Sequence, residues 1–270
     1  MLKKILYLCI IFSLIGYIFI APASNKYIVL QSTTSTQNSG LYDYILPIYK
    51  EQSGIQVNVV AVGTGQALKN AARCDGDVLI VHAKTRELNF IKNGYGISRT
   101  DLMYNNFVII GPTNDPANIS KSNGIVEALS KIKNTQVKFI SRGDDSGTHI
   151  KEKKLWEYAA INPIKFSGQW YLESGSSMGA TITLAVSVKA YTITDRATWL
   201  AYKNKQNHKV LFSGDERLFN QYGVIVVNPK HCKNVRYEEA VKFKNWLISE
   251  AGKKAISSYK IQDVQLFQPN

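Results

Sequence analysis

The residues best suited to chemistry lie in one run, Ser141-Arg142-Gly143-Asp144-Asp145-Ser146-Gly147-Thr148-His149. It follows the β-rich stretch Val137-Lys138-Phe139-Ile140 and leads into a helical pattern carrying Leu155, Trp156, Tyr158 and Ala159. A guanidinium offers a planar fork of donors, and hydroxyls and backbone N–H groups add more. Asp144, two residues on, is placed to hold the fork. Such a set suits a small oxyanion that has given up its water. Arg142-Gly143-Asp144 also spells an adhesion tripeptide, but a three-residue match inside a strand-to-helix loop is read as chance.

Three more junctions share this design. Tyr27-Ile28-Val29-Leu30 reads as a buried strand, followed by the polar run Gln31 to Gly40 and a helix marked by Leu41, Tyr44, Ile45, Ile48 and Tyr49. Val57 to Val62 reads as a strand, Gly63-Thr64-Gly65 as its turn and Gln66 to Arg73 as a helix. Trp170-Tyr171-Leu172 is the fourth strand, Glu173-Ser174-Gly175-Ser176-Ser177 its loop, and Met178-Gly179-Ala180 opens a helix through Leu184 and Val186. One such junction means little, because Gly and Ser make turns and cap helices wherever strands meet helices. Four together, rich in donors and nearly free of competing cations, present helix starts whose unpaired N–H groups and positive dipole ends attract an anion. The alternation of strands and helices predicts an α/β fold.

The remaining bulk properties narrow the partners. With 45% hydrophobic and 11% aromatic residues the chain is not disordered, and three cysteines in 270 residues do not make a disulfide scaffold. The length allows one or two domains. A formal charge of +13 admits nucleic acid, anionic membranes or small anions. Lysines such as Lys151, Lys153, Lys154, Lys203, Lys205 and Lys209 are scattered without a base-reading motif, so no nucleic-acid partner is expected. Met1 to Lys4 is a basic start, Ile5 to Ile20 an uncharged run, and Ala21-Pro22-Ala23 a small-x-small site. Residues 1–23 therefore read as a cleaved secretory signal, the run being shorter than the roughly 20 residues of a membrane-spanning helix. Loss of Lys3 and Lys4 brings the charge to +11. No cysteine follows the site to take a lipid, so a soluble periplasmic protein is expected. Cys74 and Cys232 remain in the exported chain, either bridged or as separate thiols.

Eight stretches carry a resemblance that spans the exported chain in order. They are Thr33 to Leu41, Val60 to Leu68, Asp75 to Leu79, Met103-Tyr104-Asn105, Ser141 to His149, Met178 to Thr181, Tyr191 to Arg196 and Phe219 to Val224. There the sequence resembles the TupA-type tungstate-binding proteins, the periplasmic components of tungstate ABC transporters. The resemblance implies a two-lobe periplasmic binding protein fold of type II, phosphate-binding-like, each lobe a mixed β-sheet flanked by helices and joined to the other by two crossings. On it the first lobe is placed at 24–111 plus 218–270 and the second at 112–217, with crossings near Phe107 to Ile110 and Gly223 to Val227. It implies a monomeric receptor, not an enzyme and without a cofactor, that captures tungstate or molybdate and hands it to a membrane permease. The anion contacts it implies are Thr34, Ser35 and Thr64 on one side and Arg142, Ser146, Gly147, Thr148, Gly179 and Ala180 on the other, with Ser141 and Asp144 behind them.

Two rivals are kept. Phosphate-binding relatives share the pattern Arg-x-Asp-x-Ser-Gly-Thr, met here by Arg142, Asp144, Ser146, Gly147 and Thr148. Those relatives add a first-lobe carboxylate for the proton that phosphate keeps, whereas here Asp77 to Val81 runs into His82-Ala83-Lys84. A carboxylate would repel unprotonated tungstate or molybdate, so its absence favours them over phosphate. Gly175-Ser176-Ser177-Met178-Gly179 fits a nucleophile elbow, with Asp195 or Asp215 and then His208 or His231 following in hydrolase order, which makes Ser177 the nucleophile of a secreted hydrolase in the other class of reading. His149 and His231 lack partners at metal spacing, so no cation ligands are expected.

Overall fold

The computed structural model of the chain describes residues 26–270, and the expected signal segment lies outside the described residues. Strand β1 (Tyr27–Thr33) leads into the short helix α1 (Thr34–Asn38), and then come α2 (Leu41–Ser53), β2 (Gln56–Val62), α3 (Thr64–Ala72), β3 (Val78–Val81) and α4 (Lys84–Lys92). The long strand β4 (Gly96–Pro112) is followed by α5 (Ile125–Thr135), β5 (Phe139–Ser141), α6 (Gly147–Tyr158), β6 (Tyr171–Glu173), α7 (Met178–Ser187), β7 (Tyr191–Asp195), α8 (Arg196–Ala201) and β8 (His208–Phe212). β9 (Phe219–Val227), α9 (Tyr237–Ile248) and α10 (Glu250–Ser258) precede three two-residue strands, β10 (Lys260–Ile261), β11 (Val264–Gln265) and β12 (Gln268–Pro269). Among the described residues no helix is long and apolar enough to cross a membrane.

The strands run in the order β2-β1-β3-β9-β4-β7-β5-β6, with β8 and β12 also paired to β4. β1 is parallel to β2 and β3, and β5 is parallel to β6 and β7. The two parallel sets are joined through antiparallel β9 and β4. β4 exchanges partners along its length: Asn106 pairs with Phe219 of β9, while Phe107 pairs with Asp195 of β7. The exchange therefore lies inside β4. Each half has its own core. In the first, Ile28, Leu30, Ile80, Val224, Tyr49 and Phe243 pack α2 and α9 against one sheet face, and Leu79, Ile225, Ala71 and Phe90 pack α3 and α4 on the other. In the second, Phe139, Trp156, Tyr171, Leu129 and Ile193 pack α5 and α6 on one face, and Ile110, Ile182 and Trp199 fill the other. The mixed sheet flanked by helices is the α/β fold the alternation predicts.

The first polar run behaves differently from its expected loop. β1 continues through Gln31, Ser32 and Thr33, all buried. Their polar atoms find partners at a distance: Gln31 Nε2 donates to the Asp75 carbonyl at 2.7 Å and Ser32 Oγ to the Ile80 carbonyl at 2.8 Å. Thr33 then caps α1, its Oγ1 accepting from Thr36 N. Buried polar side chains cost little once they are hydrogen-bonded, so a strand carries them here. Cys74 and Cys232 are joined as a disulfide, with Cα atoms 5.3 Å apart, tying the end of α3 to the segment after β9. This decides the pairing the sequence leaves open and commits the two sulfurs beside His231 that could otherwise join it around a cation.

Candidate functional site

All six parallel strands end at the same crevice, and helix starts follow them: α1 after β1, α3 after β2, α4 after β3, α6 after β5, α7 after β6 and α8 after β7. In parallel α/β sheets the carboxyl ends of the strands are where ligands bind. The two halves touch across this crevice. Gly147 N of α6 donates to Thr64 Oγ1 of α3 at 3.1 Å, and Thr198 Oγ1 of α8 lies 3.0 Å from the Ser35 carbonyl of α1. At the rim the Arg86 guanidinium grips Asp145 with two bonds of 2.6 and 2.7 Å. The halves are closed on one another.

Arg142 lies at the centre, 2% exposed. Its Nε donates to the Ser176 carbonyl at 2.7 Å and its Nη2 to Asp144, whose other oxygen accepts from Ser146 N at 3.1 Å. Burial pulls the guanidinium pKa down, against the opposing pull of Asp144, Asp195 and Glu152. Asp144 thus holds the fork while Nη1 has no hydrogen bond among those of the described residues. Thr34, Gly63, Ser176 and Ser177 line the opening beside it. Thr148 is 1% exposed and its Oγ1 has no hydrogen-bond partner. A buried hydroxyl left unpaired costs about 1–3 kcal/mol, which a ligand accepting its proton would recover. Thr148 stands at the start of α6 with Ser146 and Gly147, in the same β5–α6 run as Arg142, a donor set that fits an oxyanion.

The other expected contacts divide. Ser35 and Thr64 are buried at the first-half wall, and Gly147 packs so closely that a Cβ there would sit 2.7 Å from His82 Cε1 and 2.9 Å from Thr64 Oγ1. Ser146 caps α6, its Oγ accepting from His149 N at 3.2 Å. Ser141 donates to buried Glu152 at 2.8 Å, so its proton is committed away from the crevice. Gly179 faces Asn38 of α1, while Ala180 beside it is exposed. Burial lifts the Glu152 pKa to about 7 despite donors from Tyr171, Ser141 and Trp156.

Residues the sequence passed over complete the wall. His82, 8% exposed, stacks on Tyr222 at 4.8 Å, with Nδ1 2.9 Å from Asn220 Oδ1 and Nε2 3.4 Å from Ser35 Oγ. Burial, with Arg142 and Lys151, drives its pKa down to about 4 against the Asn220 bond. Only its position at the end of β3 could have flagged it. The hydrolase constellation does not assemble: His208 pairs with the Ala190 carbonyl, His231 with the Ala72 carbonyl, Asp195 with Thr198, and Asp215 with Arg217. No histidine is bonded to Ser177 among the described residues.

Two helix-flanked halves closed over a crevice of helix starts define a solute-binding protein of the two-lobe class. Residues 21–251 match the model of a PBP superfamily domain. The tungstate-binding protein TupA of Peptoclostridium acidaminophilum is 45% identical over 247 residues, covering 90% of this chain and 85% of that protein. TupA of Campylobacter jejuni is 45% identical over 239 residues, covering 86% of this chain and 87% of its own length. Among solved structures, the tungstate ABC transporter protein of Geobacter sulfurreducens superposes with a TM-score of 0.80 at 46% identity, covering 86% of this chain and 98% of that one. TupA of Desulfovibrio alaskensis gives 0.77 at 43%, covering 91% and 99%. The chain belongs to the PBP superfamily and, within it, to the TupA family of binding proteins.

Proposed function

We propose that this chain is the extracytoplasmic receptor of a tungstate ABC transporter. It captures the dianion between its halves and presents the closed form to a permease, without catalysing a reaction. The relatives' names supply the ligand. The observation that carries the reading is the buried, half-engaged Arg142 fork at the convergence of helix starts from both halves, with the unpaired Thr148 hydroxyl at the start of α6 in the same β5–α6 run. Arg142, Thr148, the N–H groups at the starts of α6 and α7, and hydroxyls of Thr34, Ser35 and Thr64 replace the water shell of the anion. Its two-halves mechanics follow from β4 and β9: we place the crossings at Asn106 to Phe107 and Leu218 to Phe219, so that closure is a rotation about these two segments. Residues 1–23 direct export and are removed, leaving a soluble monomer.

Competitive calorimetry with tungstate, molybdate, sulfate, phosphate and chromate tests the ligand. Tungstate or molybdate is expected to bind tightest, and a clear preference for phosphate overturns the ligand while leaving the fold. Arg142→Ala is expected to weaken binding at least tenfold, about 1.4 kcal/mol. Unchanged affinity would remove Arg142 from the site.

A further inference from the structure

A chain of polar contacts leading to Ser35, one of the expected anion contacts, fixes the tautomer of His82 in one wall of the crevice. Asp195, at its far end, accepts from Thr198 N at 2.8 Å and Thr198 Oγ1 at 2.7 Å. Burial raises the Asp195 pKa, but Asp195 Oδ1 accepts from Thr198 N and so is an acceptor, which turns the Asn105 carboxamide Nδ2 toward it, at 3.5 Å. Asn105 Oδ1 is then left to accept from Asn220 Nδ2 at 2.7 Å. That turns Asn220 Oδ1, another pure acceptor, toward His82 Nδ1 at 2.9 Å. His82 must therefore carry its proton on Nδ1, and in the neutral ring Nε2 is a bare lone pair. The Nε2 neighbour is Ser35 Oγ, 3.4 Å away. Ser35 Oγ also lies 3.1 Å from Thr33 Oγ1; with Thr33 donating there, a neutral His82 draws the Ser35 hydroxyl proton toward itself and away from the crevice.

We propose that His82 is a positioning residue that takes up a proton when the oxyanion binds, and that this proton turns the Ser35 hydroxyl from His82 toward the anion. The step balances simply: a buffer acid gives up a proton, the Nε2 lone pair becomes N–H and donates to Ser35 Oγ, and Ser35 O–H is released to donate to the ligand. The ring is surrounded by cations that oppose its charge without a ligand. They are Arg142 after β5, Lys151 and Lys154 on α6, and Lys84 and Arg86 on α4, with the Tyr222 ring of β9 stacked beneath and Asp195 two amides away. With no anion bound, burial, with Arg142 and Lys151, holds the imidazole pKa at about 4 against the Asn220 bond. A dianion in the crevice offsets part of this positive charge and so favours the imidazolium.

The inference rests on the oxyanion reading of the same crevice, and the measurement separates the two. Tungstate is titrated by calorimetry at neutral pH in two buffers of different protonation enthalpy, and the difference in heat counts protons. Wild-type protein is expected to take up a measurable fraction of a proton per tungstate, with affinity falling by up to about tenfold per pH unit as pH rises. His82→Gln is expected to bind tungstate with no buffer-dependent heat. Asn220→Asp places a carboxylate on Nδ1–H, charges the ring beforehand, and is expected to cut the uptake by more than half, which keeps a test if His82→Gln fails to fold. Absence of any binding heat would sink the oxyanion reading. Binding with no proton uptake by the wild type, or with uptake persisting in His82→Gln, as it would if Glu152 were the acceptor, overturns the role of His82 alone.

Discussion

Gly147→Ala is the sharpest test of closure, because a single added methyl is aimed across the crevice. Gly147 opens α6 in the second half, and the atoms its Cβ would meet belong to the first: His82 Cε1 at 2.7 Å, Nε2 at 2.8 Å and Thr64 Oγ1 at 2.9 Å. Those separations fall well inside ordinary van der Waals contact, near 3.5–4.0 Å. Gly147 has no left-handed backbone to protect, and alanine is a better helix former than glycine by about 1 kcal/mol, so α6 itself does not suffer. The methyl is relieved only when the halves part. Overpacking of this kind costs about 1–3 kcal/mol, and losing the Gly147 N to Thr64 Oγ1 bond adds about 1 kcal/mol. A penalty of about 2–4 kcal/mol on the closed state corresponds to roughly 30-fold to nearly 1,000-fold weaker tungstate binding. Calorimetry gives the affinity, and thermal melting of the unliganded variant, expected within about 1 kcal/mol of wild type, shows that the fold is intact. Tungstate affinity within about threefold of wild type would refute the closed arrangement described above.

Other consequences follow from pairs around the crevice. Arg86 and Asp145 bridge the halves at the rim, with side chains 36% and 56% exposed, so the pair contributes at most about 1 kcal/mol. Arg86→Ala is expected to weaken tungstate binding up to about fivefold in low salt and not at all in roughly 0.5 M salt, where screening removes the pair; a salt-independent loss would contradict the latch. Burial raises Glu152 from 4.5 to about 7, so the folded chain keeps a proton that the unfolded chain has released. Stability conferred by that proton is present at low pH and lost as pH climbs between those two values. Glu152→Gln keeps acceptors for Trp156 and Tyr171, and is expected to flatten this slope and to stabilise the protein at pH 8 by up to about 3 kcal/mol in urea melts; an unchanged slope would show that Glu152 is not its source.

Legibility followed locality. The second, third and fourth junctions read from the sequence agree with β2 and α3, β5 and α6, and β6 and α7 to within a residue or two at most ends, because apolar runs bounded by Gly and Ser are local signals. Amphipathic spacing of Ala240, Phe243 and Leu247 likewise marks α9, where all three are buried. The first junction departs from its local pattern because Gln31, Ser32 and Thr33 look like a loop until the Asp75 and Ile80 carbonyls arrive to bond Gln31 and Ser32. Arg142 and Asp144 could be paired from their spacing alone. Ser141 could not be told from its neighbours, since Glu152, which takes its proton, stands a full helical turn into α6.

The sequence by itself determined the α/β alternation, four donor-rich junctions and a likeness that fixed the family. Tertiary structure decided how those junctions face one another, which cysteines join, and which hydroxyls are spent inside the protein. It also brought Asp195, Asn105, Asn220, His82 and Ser35 into one chain. Propensity and periodicity act over a few residues, whereas a hydrogen bond between residues 138 apart, such as His82 with Asn220, exists only once β3 and β9 are paired.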